Sequence, residues 1–208
     1  MRALVTGASR GIGAALLVEG RSRGHEVLGT IRRGDGTVLD VTCADAQARA
    51  AKEVGPLDLL VCNAGVYLDR GKDLMSLTHD DLRDTFAANV TGVVLTVQAQ
   101  LRNLHAGGRI AIIASQMGSS ARAGGNAFAY RASKAAVANL GANLALALQG
   151  HGIAVGTYHP GWVRTDMGGS AANLSADRAA GDLWDRFEAL DLARSGCFES
   201  HDGQTIPY

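Results

Sequence analysis

Tyr130 and Lys134 stand four residues apart in Tyr-Arg-Ala-Ser-Lys. On a helix that spacing puts both side chains one turn apart on the same face. An ammonium beside a phenol favours the phenolate and lowers the tyrosine pKa. A tyrosine tuned in this way can exchange a proton with an alcohol or a carbonyl near neutral pH. Near the start of the chain, Thr6-Gly7-Ala8-Ser9-Arg10-Gly11-Ile12-Gly13 directly follows the short apolar run Ala3-Leu4-Val5 and opens a helical pattern. A glycine-rich turn from a strand into a helix N-terminus is where a dinucleotide pyrophosphate binds. One site tunes a proton and the other holds a cofactor, which together suggest hydride transfer to or from a carbonyl.

These residues need elements to position them. Apolar runs alternate with helical patterns along the whole chain, which predicts a doubly wound α/β fold, a Rossmann-like parallel sheet with helices on both faces. The expected strands are Arg2–Thr6, Glu26–Ile31, Thr37–Leu39, Leu57–Cys62, Arg109–Ala114 and Ile153–His159, with a short last strand near Gly196–Phe198. The expected helices are Gly11–Arg23, Ala44–Val54, His79–Leu104, Tyr130–Gln149 and Ala176–Leu192. Thr78 with Asp81 three residues on reads as a capping box, and Ser175 as a second N-cap. One connection is anomalous. Only Arg32-Arg33-Gly34-Asp35-Gly36 separates the second strand from the third, whereas a parallel crossover normally needs a dozen or more residues. The helix that would cover this part of the sheet is expected to be missing.

Composition bounds the partners. A chain of 208 residues predicts one domain over residues 1–208, and 47% hydrophobic residues are enough for a full core. The formal net charge of +0 gives no reason to expect a nucleic acid or an anionic membrane. No apolar run approaches the length of a membrane span, and the first strand begins almost at Met1 with no signal-peptide pattern. Cys43, Cys62 and Cys197 are odd in number, far apart and form no paired motif. Reduced thiols and a cytoplasmic location are the simpler expectation. No His/Asp/Glu cluster has metal-ligand spacing. Gly, at 27 residues, fits many tight strand-to-helix turns.

In the glycine segment, Gly7 permits the tight turn, Gly11 lets backbone approach a phosphate, and Gly13 allows close helix packing. The spacing is wider than G-x-G-x-x-G. From residue 6 to about 167 the chain resembles the short-chain dehydrogenases/reductases in Thr6–Gly13, Asn63-Ala64-Gly65, Asn89 in Ala-Asn-Val, Ser115 after the fifth expected strand, Tyr130-x-x-x-Lys134 and Pro160-Gly161-Trp162-Val163-x-Thr165. These motifs occur in that family's order. The stretch Gly124–Lys134 and the ending Asp202-Gly203-x-x-Ile206-Pro207-Tyr208 are similar to a smaller branch, the C-factor and sniffer-like carbonyl reductases. The short connection after Arg33 departs from that branch.

The resemblance implies roles. Tyr130 would be the proton donor or acceptor, and Lys134 would lower its pKa and bond the nicotinamide ribose. Ser115 would polarise the substrate oxygen, and Asn89 would hold a water in a proton relay. Ser9, Arg10 and Ile12 lie in the cofactor loop, Asp40 and Val41 match an adenine-contacting pair, and Pro160, Gly161, Val163 and Thr165 belong to the loop over the nicotinamide. Homodimers or homotetramers are implied, and both long helices carry small apolar residues on more than one face, Ala135, Ala136, Ala138, Ala142 and Ala145 among them. The residues themselves leave alternatives: a satisfied buried amide for Asn89, a turn serine for Ser115, an exposed helix pair for Tyr130 and Lys134. His159 reads as a packed strand-end residue. Trp162, Met167, Met117, Tyr67 and Trp184 are expected to flank the substrate.

Cofactor choice turns on the end of the second strand. A carboxylate there would accept a ribose 2′-hydroxyl and select NAD. Thr30-Ile31-Arg32-Arg33 offers none before Asp35, and guanidinium groups suit a 2′-phosphate. Arg10, Arg32 and Arg33 therefore point to NADP, unless the latter two are merely solvated loop charges. The expected function is an oxidoreductase passing a hydride between NADP(H) and a carbonyl or secondary alcohol. The alternatives are a non-catalytic NAD(P)-binding regulator, which need not keep Ser115, Tyr130 and Lys134 together, and a family member doing elimination or isomerisation.

Overall fold

A computed structural model describes residues 1–34 and 36–208; Asp35 lies outside the described residues. Seven strands form one sheet in the order β3-β2-β1-β4-β5-β6-β7, and every pairing between them is parallel. They are β1 (Arg2–Val5), β2 (Glu26–Ile31), β3 (Thr37–Val38), β4 (Leu57–Cys62), β5 (Leu104–Ile113), β6 (Ala154–His159) and β7 (Phe198–Ser200). The helices are α1 (Gly11–Ser22), α2 (Ala44–Val54), α3 (His79–Phe86), α4 (Gly92–Gln100), α5 (Phe128–Gln149) and α6 (Ala176–Ala189).

The continuous apolar runs follow from burial of the sheet on both faces. Alternate residues serve opposite layers because side chains along a strand alternate in direction. Val5, Val61 and Ile113 face Leu16 of α1 and Leu183, Trp184 and Phe187 of α6. Leu4, Leu60 and Ile112 face Val93 and Val97 of α4 and Val137 and Ala138 of α5. Strand order reverses between β1 and β4, and such a switch point opens a crevice at the carboxyl ends of the strands.

The helix is missing, as expected: among the described residues β2 passes to β3 with no helix between, and β3 shrinks to two residues paired with Thr30 and Ile31. Both expected caps form. Thr78 and Asp81 make the reciprocal capping box, and Ser175 accepts from the Arg178 N–H. The expected single helix His79–Leu104 is instead broken by a π turn over Ala87–Thr91 and ends in a 3₁₀ turn over Leu101–Asn103. A π turn inserts an extra residue into the helical ladder, and buried Asn89 sits in it. β5 starts five residues earlier than the expected Arg109, with a register shift between Leu57 and Leu59 of β4. The last strand is Phe198–Ser200 and not Gly196–Phe198, because Gly196 has φ +90°, outside extended geometry. Among the described residues no helix is long and apolar enough to cross a membrane.

Candidate active site

The crevice at the switch point is a cleft of about 1300 Å³. Its floor is stitched by Thr6, whose Oγ1 accepts from the N–H groups of Asn63 and Ala64 at 3.0 and 3.1 Å. Asn63 Nδ2 returns two bonds to the carbonyls of Thr6 (2.9 Å) and Gly7 (3.1 Å). The turn out of β1 and the turn out of β4 therefore hold each other. Gly7 has φ +68°, and a Cβ there would lie 2.8 Å from Ala64 Cα. A Cβ on Gly13 would fall on the Gly7 carbonyl and 2.6 Å from Asn63 Nδ2. Both glycines are required by close approach of backbone.

The start of α1 fits an anionic group. Arg10, its N-cap residue, makes no side-chain cap, and no acidic residue stands in the first turn. Among the described residues no side chain bonds the first N–H groups of the helix, and the helix dipole favours negative charge there. Arg10 Nη1 pairs with Asp166 at 2.6 Å, with both side chains 76% exposed. Arg32 and Arg33, both exposed, line the cleft beside Asp40. Hydrogen bonds from the Thr42 hydroxyl and N–H hold the Asp40 carboxyl below its ordinary pKa, with Arg32 and Arg33 adding to the effect. Asp40 therefore closes a turn and also lines the cleft.

Ser9, Gly11, Ile12, Val41, Ala64, Gly65, Pro160 and Thr165 also line the cleft. Gly161 and Val163 do not. A Cβ on Gly161, at φ +87°, would meet His201 and Leu174 at 2.9 Å, and Val163 is buried and bridged to Leu174. Both serve to fold the loop after β6 and leave Pro160 and Thr165 to face the cleft.

At the other end of the cleft stand Tyr130 and Lys134, on one face of α5 and both buried. Lys134 Nζ donates to the Ile113 carbonyl at 2.8 Å and lies 5.7 Å from the Tyr130 ring centroid. Burial pushes the Lys134 ammonium down to about 8. Tyr130 is pushed up to about 12, mainly by burial, with a hydrogen bond to Ser115 working against it. The expectation that Lys134 depresses the tyrosine is thus corrected. Desolvation disfavours the charged form of each group, and the ammonium is committed to a backbone carbonyl. At neutral pH the site holds a protonated phenol.

Ser115, buried next to this phenol, also accepts from the Met117 N–H at 3.2 Å and caps a short 3₁₀ turn. Asn89 is a fully engaged amide. Its Oδ1 accepts from Val66 N (2.8 Å), and its Nδ2 donates to Val66 O and to Ser133 Oγ, both at 2.9 Å. Ser133 Oγ in turn donates to the Tyr130 carbonyl at 2.8 Å. Both amide N–H groups are engaged, and the side chain ties the segment after β4 to α5. Gly65 lies against both groups: a Cβ there would be 3.0 Å from Asn89 Oδ1 and 3.7 Å from Lys134 Nζ.

His159 is a buried strand-end residue, held down to about 4 chiefly by burial. Trp184, expected near the substrate, belongs to the core under α1, where its Nε1 donates to Leu16 O at 2.9 Å. Trp162 and Met167 are exposed, and the Tyr67 ring stacks on Tyr130 with centroids 4.4 Å apart. Sequence reasoning missed Thr6 as the stitch, the Ile113 carbonyl, Ser133 and Asp69. Only Thr6 carried a signal, as the residue between the first strand and the glycine turn.

The sheet order and the glycine-lined helix start define a doubly wound α/β protein of the dinucleotide-binding type. A family model described as short chain dehydrogenase matches residues 1–175, and the chain belongs to that family. C-signal of Myxococcus xanthus is 35% identical, over 74% of this chain and 94% of its own. An NADPH-bound carbonyl reductase from chicken fatty liver superposes with a TM-score of 0.90 at 27% identity, covering 100% of this chain and 98% of that one. The carbonyl reductase Sniffer of D. melanogaster has the same fold, with a TM-score of 0.93 at 23% identity over 100% of this chain and 99% of its own.

Proposed function

We propose that the protein uses NADP(H) to reduce an aldehyde or ketone, or to oxidise the corresponding secondary alcohol. One observation carries the proposal: a buried phenol, kept protonated and set beside Ser115 and Lys134, stands at one end of a cleft whose other end is lined by Arg32 and Arg33. The dinucleotide, when bound, supplies or takes the hydride. Tyr130 gives its proton to the carbonyl oxygen, and Ser115 donates a hydrogen bond to the charge that develops there. Lys134 holds the nicotinamide ribose. The uncapped start of α1 holds the pyrophosphate, and Arg32 and Arg33, with Arg10, hold the 2′-phosphate. The NADPH bound to the chicken relative supports this choice of cofactor.

The pair Arg10–Asp166 does not oppose the assignment. An exposed ion pair is worth only about 0–1 kcal/mol, less than the roughly 1.5–3 kcal/mol of a hydrogen bond to a charged group. We also propose a homodimer or homotetramer, since Leu140 and Leu144 of α5 are only partly covered and Leu146 is 75% exposed. Light scattering at a multiple of 21.5 kDa supports it.

The test is NADPH absorbance with a panel of aldehydes, ketones and quinones. Turnover of at least one carbonyl is expected. Tight NADPH binding with no turnover across the panel would replace this reading with a non-catalytic regulator.

A further inference from the structure

Helix α5 carries Tyr130 in its first turn, yet its own sequence does not cap it. The N-cap residue is Ala127, which has no side chain to accept a hydrogen bond and sits in the left-handed region at φ +52°. That conformation is strained for a residue with a Cβ and persists only where the surroundings enforce it. Just before it, Gly124 and Gly125 have no side chain to offer, and Asn126 Oδ1 accepts from Arg131 Nε at 3.1 Å and not from a backbone N–H of the first turn. The cap comes from the loop after β4. Asp69, 1% exposed, accepts from Ala129 N at 2.8 Å and from Tyr130 N at 3.3 Å, across 60 residues of sequence. Among the described residues it makes no ion pair. A buried carboxylate without a counter-ion is costly unless hydrogen-bonded. The two N–H groups and the positive end of the helix offset that cost.

Two further contacts aim the same short segment at the phenol. Asn89 clamps Val66 by both its N–H and its carbonyl. Tyr67 stacks on the Tyr130 ring at 4.4 Å and 23°, and the Arg70 guanidinium lies 5.2 Å from the Tyr67 ring centroid. Residues 66–70 therefore grip Tyr130 at backbone and at ring, and Asp69 is the one member that bonds its backbone N–H.

We infer that Asp69 is a positioning residue for Tyr130: its buried carboxylate fixes the first turn of α5 and thereby the place of the phenol against the substrate oxygen. This rests on the function proposed above. Misplacement of a reacting group by about 1 Å can cost on the order of a hundredfold in rate. Asp69→Ala removes both acceptors, whereas Asp69→Asn keeps the shape and one acceptor, turning its NH₂ toward the other backbone N–H.

The experiment measures kcat with a carbonyl that wild type reduces, NADPH affinity by titration, and the NMR resonance of the labelled Tyr130 ring. Asp69→Ala is expected to lose at least about tenfold in kcat, and Asp69→Asn an intermediate amount, with unchanged NADPH affinity and a shifted Tyr130 resonance in both. In a Tyr130→Phe background, Asp69→Asn is expected to change the residual rate no further, because the two act as one unit. Wild-type kcat in Asp69→Asn, a parallel loss of NADPH binding, or the same fold loss in the Tyr130→Phe background overturns the inference. If Asp69→Ala does not fold, Asp69→Asn decides alone. If wild type reduces no carbonyl, the proposed function falls, and an unmoved Tyr130 resonance in Asp69→Asn separately overturns the role of Asp69.

Discussion

Replacing Gly13 by alanine tests whether the glycine loop is required by packing and not by sequence habit. Gly13 is the third residue of α1, where alanine would ordinarily gain about 1 kcal/mol in helix propensity. Here the new methyl would fall on the Gly7 carbonyl, 2.6 Å from Asn63 Nδ2 and 3.0 Å from Ala8 Cα. Two of those atoms are backbone, and Asn63 is pinned by its bonds to Thr6 and Gly7. Overpacking costs about 1–3 kcal/mol, and losing one Asn63 bond about 1 more. The net loss is about 2 kcal/mol, which lowers Tm by about 4–8 °C in a chain of this length. Because the Gly7 turn and the start of α1 must part, NADPH affinity should fall at least tenfold, about 1.4 kcal/mol. Gly181→Ala is the matched control. A Cβ there meets nothing nearer than Glu19 Oε1 at 3.9 Å and Arg23 Nη2 at 4.0 Å, so this variant should gain up to about 1 kcal/mol. Thermal melts and NADPH titration of both variants give the answer. A Gly13→Ala protein as stable as wild type and binding NADPH as well would refute the packing argument.

Three further outcomes are expected. Tyr130→Phe should lose about 10²–10⁴-fold in kcat while NADPH affinity stays near wild type, because the phenol acts on the substrate proton; stopped-time product analysis alongside NADPH titration checks this. NADPH should bind at least tenfold more tightly than NADH, about 1.4 kcal/mol, with Arg32→Ala narrowing the gap; equal dissociation constants in wild type would remove the 2′-phosphate assignment. Lys134, at about 8 in the fold against an ordinary 10.5, is deprotonated in the native state and still protonated in the unfolded chain between those values. The unfolded state then binds more protons, so stability rises with pH across that window. Urea unfolding should therefore show wild type gaining on Lys134→Met from pH 8 to pH 10.5, and a gap independent of pH would contradict the burial of the ammonium.

The alternation of apolar runs with helical patterns was enough to place six of the seven strands and the doubly wound sheet, because burial on both faces demands uninterrupted apolar strands. The short link after Arg33 likewise announced a missing helix by length alone. The cleft residues of the glycine loop and the helical pair Tyr130 and Lys134 were legible because their spacing is local. What the sequence could not supply was any quantity that depends on distant partners. The break at Ala87–Thr91 arises where Asn89 reaches Val66 and Ser133, and no periodicity in that stretch marks it. Spacing alone suggested that Lys134 would lower the Tyr130 pKa; the fold buries both groups, so desolvation outweighs their proximity. Trp184 looked like a substrate wall and became core because Gly20 of α1 leaves room for its ring. Asp69 carried no local signal, since its partners are two backbone N–H groups about sixty residues away. Local spacing determined which groups can do chemistry; tertiary packing decided their charge, their orientation and what holds them.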